Sequence, residues 1–362
     1  MANLPEIRCP SMLEIATYVP GKSTLAPGQK VIKLSSNENP FGASPAAYET
    51  LRQCDYLHRY PEGSSRELRE ALGNTYGLNP ERIVCGAGSD ELILLLAQAY
   101  ATTGDEILCT EHSFLMYPIA AKRVGAVPVY AKETDMTTSV DALLASVTPK
   151  TRMVFLANPN NPTGTYLSQT ELRRLRDRLR DDILLVLDHA YAEYATAENY
   201  TDGYAFVEEG RTVVTRTFSK IYGLAALRLG WAYCPESVAD ILHRIRGPFN
   251  VSTLAQSAGI AALKDQDFIR HSCEHNHLWR ERLTQTLQQL GLNVYSSQAN
   301  FILVAFPEGT KNAQAADTFL QQQGIIVRNM QSYDLPHCLR ISIGGEAENT
   351  SLLDALQRFM GA

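Results

Sequence analysis

Residues 217–230 of this 362-residue chain read TFSKIYGLAALRLG. Within this stretch Lys220 comes at the end of an apolar, strand-like run and has hydroxyl side chains beside it in Thr217 and Ser219. An amine in such a place is a candidate for Schiff-base chemistry, and Arg228, further along the same stretch, can supply a cation for a phosphate. The common alternative is that Lys220 and Arg228 are ordinary surface residues, but that interpretation does not explain the adjoining apolar strand. The stretch therefore predicts a site of covalent catalysis at the end of a strand.

A glycine-rich turn at residues 86–91 (GAGSDE) also follows a strand-like run, and a helical pattern comes after it at 92–100. Free backbone N–H groups at a helix N-terminus bind phosphate well, which here points to Ser89 and Asp90. A simple helix cap is the alternative interpretation. Because Glu91 stands where a dinucleotide-binding fingerprint needs its third glycine, the turn argues against a nicotinamide-dependent dehydrogenase.

Two further polar groups follow strand-like runs. Asp188 comes directly after ILLVL at residues 183–187, where burial of a carboxylate is costly unless a cation pairs with it. A protonated ring nitrogen would be such a partner, and Tyr191 could present its hydroxyl to the same ligand; an ordinary helix cap is the alternative. Residues 158–164 (NPNNPTG) form a turn that two prolines make rigid, which is a common way to hold binding groups in place.

The strand-like runs alternate with helical patterns through the first two thirds of the chain. Most of the runs are continuously apolar, which is typical of strands covered on both faces, and the alternation predicts an α/β fold with a mostly parallel sheet. The seven runs lie at residues 82–85, 106–109, 127–130, 153–156, 183–187, 212–214 and 230–234. Ligands of such sheets bind beyond the carboxyl ends of the strands, where the four motifs above all lie.

The pattern changes after residue 246, and we predict two domains and an irregular N-terminal arm. The arm covers residues 1–29, the large domain covers 30–246, and a smaller α+β domain covers 247–362. The predicted elements of the smaller domain are a helical stretch at 253–289, strands at 300–304, 325–327 and 339–343, and a terminal helix at 349–360.

Composition excludes several classes of protein. The chain carries 33 Lys and Arg against 39 Asp and Glu, for a net charge of −6, and shows no concentrated basic face, so we expect no nucleic-acid partner. No apolar run reaches the roughly 18 residues of a membrane span, and the first residues lack the pattern of a secretory signal, so we expect a cytoplasmic protein without membrane contact. Seven cysteines with no CxxC pair are typical of buried free thiols.

One side-chain cluster, His271, Cys273, His275 and His277, includes two histidines at the i, i+4 spacing that can hold a metal. The cluster lacks the glutamate of a metalloprotease helix and lies in a polar helical run. We therefore interpret it as an ordinary helix face and expect no metal.

Taken together, these motifs resemble the fold-type-I pyridoxal-phosphate aminotransferases, and the resemblance covers nearly the whole chain. Within that family the chain is similar to the histidinol-phosphate aminotransferase subgroup, on the hallmarks SNENPFG (36–42), Tyr60-Pro61, IIVRNM (325–330) and LRISIG (339–344). The resemblance implies a three-layer large domain around a mostly parallel seven-stranded sheet and a smaller α+β C-terminal domain. It also implies pyridoxal 5'-phosphate as the cofactor.

The resemblance assigns roles around the cofactor ring. Lys220 would bind the cofactor covalently and then move a proton between the substrate and the cofactor, while Asp188 would pair with the protonated pyridine nitrogen. Asn161 and Tyr191 would hydrogen-bond the ring hydroxyl, and Phe114 would stack on the ring face, where relatives often have tyrosine.

The resemblance also assigns the anion-binding residues. The cofactor phosphate would lie among Ser89, Asp90, Thr217, Ser219 and Arg228, together with Tyr60 of a neighbouring subunit, which implies a homodimer with a composite active site. Arg340 would bind the α-carboxylate of the amino donor through its planar fork. Arg328 and Tyr18 would hold the phosphate of the substrate, and Asn39 would complete the substrate site.

The function implied is a ping-pong amino transfer from L-glutamate to imidazole-acetol phosphate, a step of histidine synthesis. An aromatic amino-acid aminotransferase and a threonine-phosphate decarboxylase of the same fold are alternatives. An aminotransferase-like domain of a transcription regulator is disfavoured, because the cofactor domain begins near residue 30. One departure from the family pattern is His189, which stands where relatives usually have glutamate.

Overall fold

The structure of the protein is a computed structural model that describes residues 9–17, 21–25, 31–53, 55 and 57–361. The helices are Pro45–Arg52 (α1), Arg66–Tyr76 (α2), Ser89–Tyr100 (α3), Met116–Arg123 (α4), Val140–Ala145 (α5), Gln169–Arg178 (α6), Tyr204–Glu208 (α7), Glu236–Ile245 (α8), Thr253–Lys264 (α9), Gln266–Gln289 (α10), Ala313–Gln322 (α11) and Glu346–Met360 (α12). The strands are Ile32–Lys33 (β1), Ile83–Gly86 (β2), Glu106–Thr110 (β3), Val127–Ala131 (β4), Glu133–Thr134 (β5), Thr137–Thr138 (β6), Thr151–Ala157 (β7), Leu184–Asp188 (β8), Thr212–Thr217 (β9), Gly230–Tyr233 (β10), Asn293–Val294 (β11), Phe301–Ala305 (β12), Ile325–Ile326 (β13), Arg328–Asn329 (β14) and Cys338–Ser342 (β15).

All seven predicted strand runs enter one sheet, in the order β2-β10-β9-β8-β7-β3-β4. The pairs among β9, β8, β7, β3 and β4 are parallel, and β10 alone runs antiparallel to its two neighbours. This confirms the predicted α/β fold with a mostly parallel seven-stranded sheet.

Helices cover both faces of this sheet, which explains why its strands are continuously apolar. Along β7, Val154 and Leu156 point into a core shared with α2, α6, α7 and α9. The alternating residues Met153 and Phe155 point into a second core, shared with α3, α4 and α8. The result is a three-layer arrangement in which both faces of the sheet are buried.

A second, antiparallel sheet has the order β11-β12-β15-β14 and packs against α10, α11 and α12. The strand β1 pairs in parallel with β13, and Leu34 lies in the apolar core of this second unit. In contrast, α9 packs on α1, α2 and the core of the large sheet. The division at residues 246 and 247 stays a prediction, while the packing places residues 32–34 with the C-terminal sheet and 253–264 with the large one.

The helical stretch predicted at 253–289 is two helices rather than one. Asp265 separates α9 from α10, and its side chain accepts a hydrogen bond from the backbone N–H of Phe268 at 3.2 Å. An aspartate that satisfies a free N–H in this way favours the start of a new helix over continuation of the old one. In the part of the chain that the structure describes, no helix is both long and apolar enough to cross a membrane.

Candidate active site

A cavity of about 270 Å³ opens beyond the carboxyl ends of the large-sheet strands and is closed on one side by the smaller unit. Parallel register explains the convergence, because Ala157 of β7 lies beside Asp188 of β8, and Asp188 lies beside Thr215 of β9. The predicted site residues that line the cavity are Ser89, Asp90, Phe114, Asn161, Asp188, Tyr191, Thr217, Ser219, Lys220, Arg228, Arg328 and Arg340.

Lys220 presents its amine to this cavity, and Nζ donates a hydrogen bond to the backbone carbonyl of Ser36 at 3.3 Å. Desolvation lowers the pKa of Lys220 to about 8, and the positive charge of Arg340 acts in the same direction. Burial disfavours the charged form of an amine, so a substantial fraction of Lys220 is neutral near physiological pH. A neutral amine is the form that attacks a carbonyl.

We expect Lys220 of the ligand-free protein to react as an unusually acidic amine. Reductive methylation followed by peptide mass spectrometry should reach half its maximum near pH 8, the pKa given by its surroundings. The internal control is Lys132, an exposed lysine whose pKa is raised by a hydrogen bond to Glu111. Labelling of Lys132 should rise at a higher pH than labelling of Lys220, because its pKa is raised rather than lowered, and coincident curves for the two lysines would contradict the prediction.

Asp188 ends β8 and is 4% exposed. The Tyr117 hydroxyl donates a hydrogen bond to Oδ2 at 2.8 Å, and the Thr215 hydroxyl donates one to Oδ1 at 3.2 Å. Burial raises the pKa of Asp188 to about 6, against the effect of these hydrogen bonds. Among the described residues, no basic side chain forms an ion pair with Asp188 within 4.0 Å. A cation entering the cavity would therefore gain a buried and already oriented carboxylate.

The turn before α3 packs closely against the guanidinium of Arg228. Gly88 adopts φ +84°, and a Cβ there would lie 2.5 Å from Nη2 of Arg228, which makes glycine necessary. The Arg228 guanidinium is 3.3 Å from the Ser219 hydroxyl and 3.1 Å from the Asp90 carboxylate. The free N–H groups at the start of α3, this guanidinium and the hydroxyls of Thr217 and Ser219 make this corner of the cavity suited to an anion.

A second cationic group comes from the smaller sheet. Arg328 of β14 lies directly opposite Arg340 of β15, which brings two positive charges to one wall of the cavity. Arg340 is 7% exposed and donates hydrogen bonds to Oδ1 of Asn161 and to the carbonyl of Ser35. These bonds hold the guanidinium at the cavity wall, and the pair is suited to a carboxylate or phosphate.

Two predicted residues that the structure describes, Asn39 and Tyr60, do not line the cavity. Asn39 uses its amide for the protein itself, since Nδ2 donates to the Ile221 carbonyl at 2.8 Å and Oδ1 accepts from the Phe41 N–H at 3.0 Å. This geometry does not support its predicted contact with substrate. Tyr60 is 82% exposed and stacks on Phe249 outside the cavity. Tyr18 lies outside the described residues.

Sequence reasoning missed one residue that lines the cavity and two that bond Asp188 from outside it. Asn37 donates from Nδ2 to the Tyr191 hydroxyl at 3.0 Å, so the first asparagine of SNENPFG, rather than the second, faces the site. Tyr117 and Thr215, which hold Asp188, were also missed. No sequence motif marks either residue, because their contacts with Asp188 depend on how α4 and β9 pack beside β8.

No histidine that the structure describes lines the cavity. His189 is fully buried beside the Tyr200 hydroxyl, and burial lowers its pKa to about 3, so it packs as a neutral side chain. His275 bonds the Gly344 carbonyl through Nε2 at 2.8 Å, while Cys273 bonds the Glu193 carbonyl. No group of three or more potential metal ligands occurs in the described ranges.

Comparison with known proteins identifies the class. Residues 29–356 match the family model "Aminotransferase class I and II", and the chain belongs to this family. It is 53% identical over 356 residues to histidinol-phosphate aminotransferase of Paramagnetospirillum magneticum, covering 98% of each chain. It is 51% identical to the enzyme of the same name from Rhodopseudomonas palustris (strain TIE-1), covering 97% of this chain and 98% of the relative.

Solved structures of aminotransferases share the fold of this chain. Histidinol-phosphate aminotransferase from Sinorhizobium meliloti, in complex with pyridoxal-5'-phosphate, superposes with a TM-score of 0.90 at 26% identity and 99% coverage of both chains. Aspartate aminotransferase from Thermus thermophilus with maleate superposes with a TM-score of 0.81 at 22% identity and 92% coverage of both chains, and this likeness concerns the fold alone.

Proposed function

We propose that this chain is a histidinol-phosphate aminotransferase, which moves an amino group between L-glutamate and imidazole-acetol phosphate with pyridoxal phosphate as its cofactor. Support comes from relatives of that name about half identical over the whole length. The observation that carries the proposal is the content of one cavity: a desolvated amine, a buried carboxylate and two separate anion-binding groups. The chain is an enzyme of the transaminase class.

The residues of the cavity fit pyridoxal phosphate. The phosphate would be held by the backbone N–H groups of Ser89 and Asp90 and by Arg228. The turn that carries these N–H groups packs closely against β10, since a Cβ on Gly230 would lie 2.4 Å from the Ser89 nitrogen. The aldehyde needs an amine, which Lys220 supplies, and the ring nitrogen needs the carboxylate of Asp188. When bound, the cofactor supplies an electron sink for the negative charge left when a proton is removed from substrate.

The other ring and phosphate contacts follow from the same arrangement. Asn161 and Tyr191 would bond the ring hydroxyl, Phe114 would stack on the ring, and Thr217 and Ser219 would add phosphate contacts. Burial raises the pKa of Tyr191 to about 12, so its hydroxyl remains a hydrogen-bond donor throughout the working range.

The chain's own residues would then carry the reaction. Lys220 would take the proton from the substrate carbon on its Nζ and hold it for the return step, which suits an amine with a pKa of about 8. Arg340 would hold the donor carboxylate through its two-pronged fork, and Arg328 would hold the phosphate of the acceptor. Arg340 and Arg328, on the paired strands β15 and β14, would thus bind the amino donor and the amino acceptor in turn.

We further propose a homodimer in the cytoplasm, in which Tyr60 reaches the cofactor phosphate of the neighbouring subunit. The exposure of Tyr60 and its stacking on Phe249 at 4.7 Å between ring centroids support an outward-facing role. The cysteines that the structure describes are free thiols, which fits a reducing compartment.

Acceptor preference tests the proposed function. The purified enzyme, converted to its amino form with L-glutamate, should react with imidazole-acetol phosphate at a kcat/KM about 10²-fold above that for phenylpyruvate, because phenylpyruvate carries a carboxylate but no phosphate for the anion-binding group proposed at Arg328. Stopped-flow absorbance of the cofactor measures both rates. A preference for phenylpyruvate would instead identify an aromatic aminotransferase, and carbon dioxide release without 2-oxoglutarate would identify a decarboxylase.

A further inference from the structure

We propose that Tyr117 is a positioning residue for the cofactor: its hydroxyl orients the Asp188 carboxylate toward the ring nitrogen, and its ring holds Phe114 toward the ring face. The proposal rests on the cofactor assignment above and adds to it a residue with no direct contact to the cofactor. Two independent sets of contacts support it.

The first set fixes the hydroxyl. Tyr117 lies in the first turn of α4, is completely buried, and donates to Oδ2 of Asp188 at 2.8 Å. Its ring stacks on Phe155 of β7 with centroids 4.9 Å apart and planes 7° apart. Because a stacked and buried ring has one position, the hydroxyl is held in one position as well.

The second set concerns Phe114. The Tyr117 ring meets the Phe114 ring edge-on, with centroids 5.8 Å apart and planes at 90°. The Tyr117 N–H also bonds the Phe114 carbonyl at 3.0 Å. Phe114 itself lines the cavity, so Tyr117 braces it from behind.

The electrostatics of Asp188 show what the hydroxyl contributes. Burial raises the pKa of this carboxyl, and the hydrogen bond from Tyr117 is the largest opposing effect, followed by the bond from Thr215. The charge of Asp90 adds to the rise, and that of Lys220 opposes it. Burial also raises the pKa of Tyr117 itself, so the phenol stays protonated and acts only as a donor to the carboxylate.

The test is Y117F, which removes one oxygen and keeps the ring. We expect the dissociation constant of pyridoxal phosphate to rise by about tenfold or more and kcat to fall by a similar factor, with KM for L-glutamate nearly unchanged. Removing the donor raises the pKa of Asp188, so the pH below which cofactor binding weakens should also move upward. The measurements are equilibrium titration of resolved enzyme by fluorescence and steady-state kinetics at saturating cofactor.

The matched control is Y233F. Tyr233 is also a buried tyrosine of the same unit whose hydroxyl donates to a carboxylate, that of Glu208 at 2.6 Å, but it lies outside the cavity. Y233F should leave cofactor affinity and its pH dependence unchanged. Equal effects of Y117F and Y233F, or none from Y117F, would overturn the proposal.

A second variant, T215V, tests the proposal even if Y117F does not fold. It removes the longer of the two bonds to Asp188, so cofactor affinity should fall by only about threefold while Tyr117 still orients the carboxylate. A loss of tenfold or more would assign the orienting role to Thr215 and overturn the proposal. Cofactor affinity does not depend on the acceptor, so failure of the substrate assignment would leave this outcome readable.

Discussion

K220A is expected to abolish amino transfer, with a loss of at least about 10⁴-fold in kcat. In the proposed mechanism the variant lacks both the amine that would bind the cofactor covalently and the base that would move the proton, and no other described lysine lines the cavity. Steady-state turnover with L-glutamate and imidazole-acetol phosphate measures the loss. Absorbance of the purified variant reports separately whether the cofactor is still held without the covalent bond.

The control for this variant is K132A. Lys132 is exposed on the large unit and pairs with Glu111, so its loss should change neither turnover nor the absorbance of the cofactor. If K220A retained more than about one hundredth of the activity, the covalent role assigned to Lys220 would be wrong.

D188N is expected to have opposite effects on activity and on the stability of the cofactor-free protein. Turnover should fall by about 10²- to 10³-fold, because a neutral amide cannot hold the ring nitrogen in its protonated form.

The effect on stability follows from the sign of the pKa shift. The pKa of Asp188 is raised from 3.8 to about 6, so its ionisation destabilises the folded, cofactor-free protein by up to about 3 kcal/mol as the pH rises through that range. At pH 7.5 the cofactor-free variant should therefore melt at a higher temperature than the cofactor-free parent.

Calorimetry of D188N and of the parent enzyme, each with and without cofactor, checks the predicted difference in melting temperature. With cofactor bound the order should reverse, since only the carboxylate gains the ionic partner. The control is D317N, which changes another buried carboxylate whose pKa is raised by burial but which lies on α11, outside the cavity. An unchanged turnover in D188N would refute the pairing of Asp188 with the ring nitrogen.

The sequence predicted the large sheet and most of the cavity for one physical reason. Strands such as 153–156 and 183–187 are apolar without interruption, and a parallel sheet brings their carboxyl ends to one edge. Residues that follow those ends in sequence, such as Lys220 and Asp188, therefore meet in space whatever the detailed packing.

What the sequence did not predict depends on conformation or on distant pairing. Asn37 adopts φ 55°, and this local turn decides which asparagine of SNENPFG faces the cavity. The two-residue strand β1 has no periodic pattern of its own, and only its partner β13 makes it a strand. Tyr117 was missed because its value comes from packing between Phe155 and Phe114, which no spacing rule encodes.

The pairing of β1 with β13 has a consequence for the co-translational folding of this protein. The backbone N–H of Leu34 bonds the Ile326 carbonyl at 2.7 Å, and the Ser35 carbonyl accepts from Arg340. Residues 32–35 are translated well before their partners Ile325, Ile326 and Arg340. The nascent chain therefore cannot complete this wall of the cavity until Arg340 has been translated, so we expect activity only after the smaller sheet has been made.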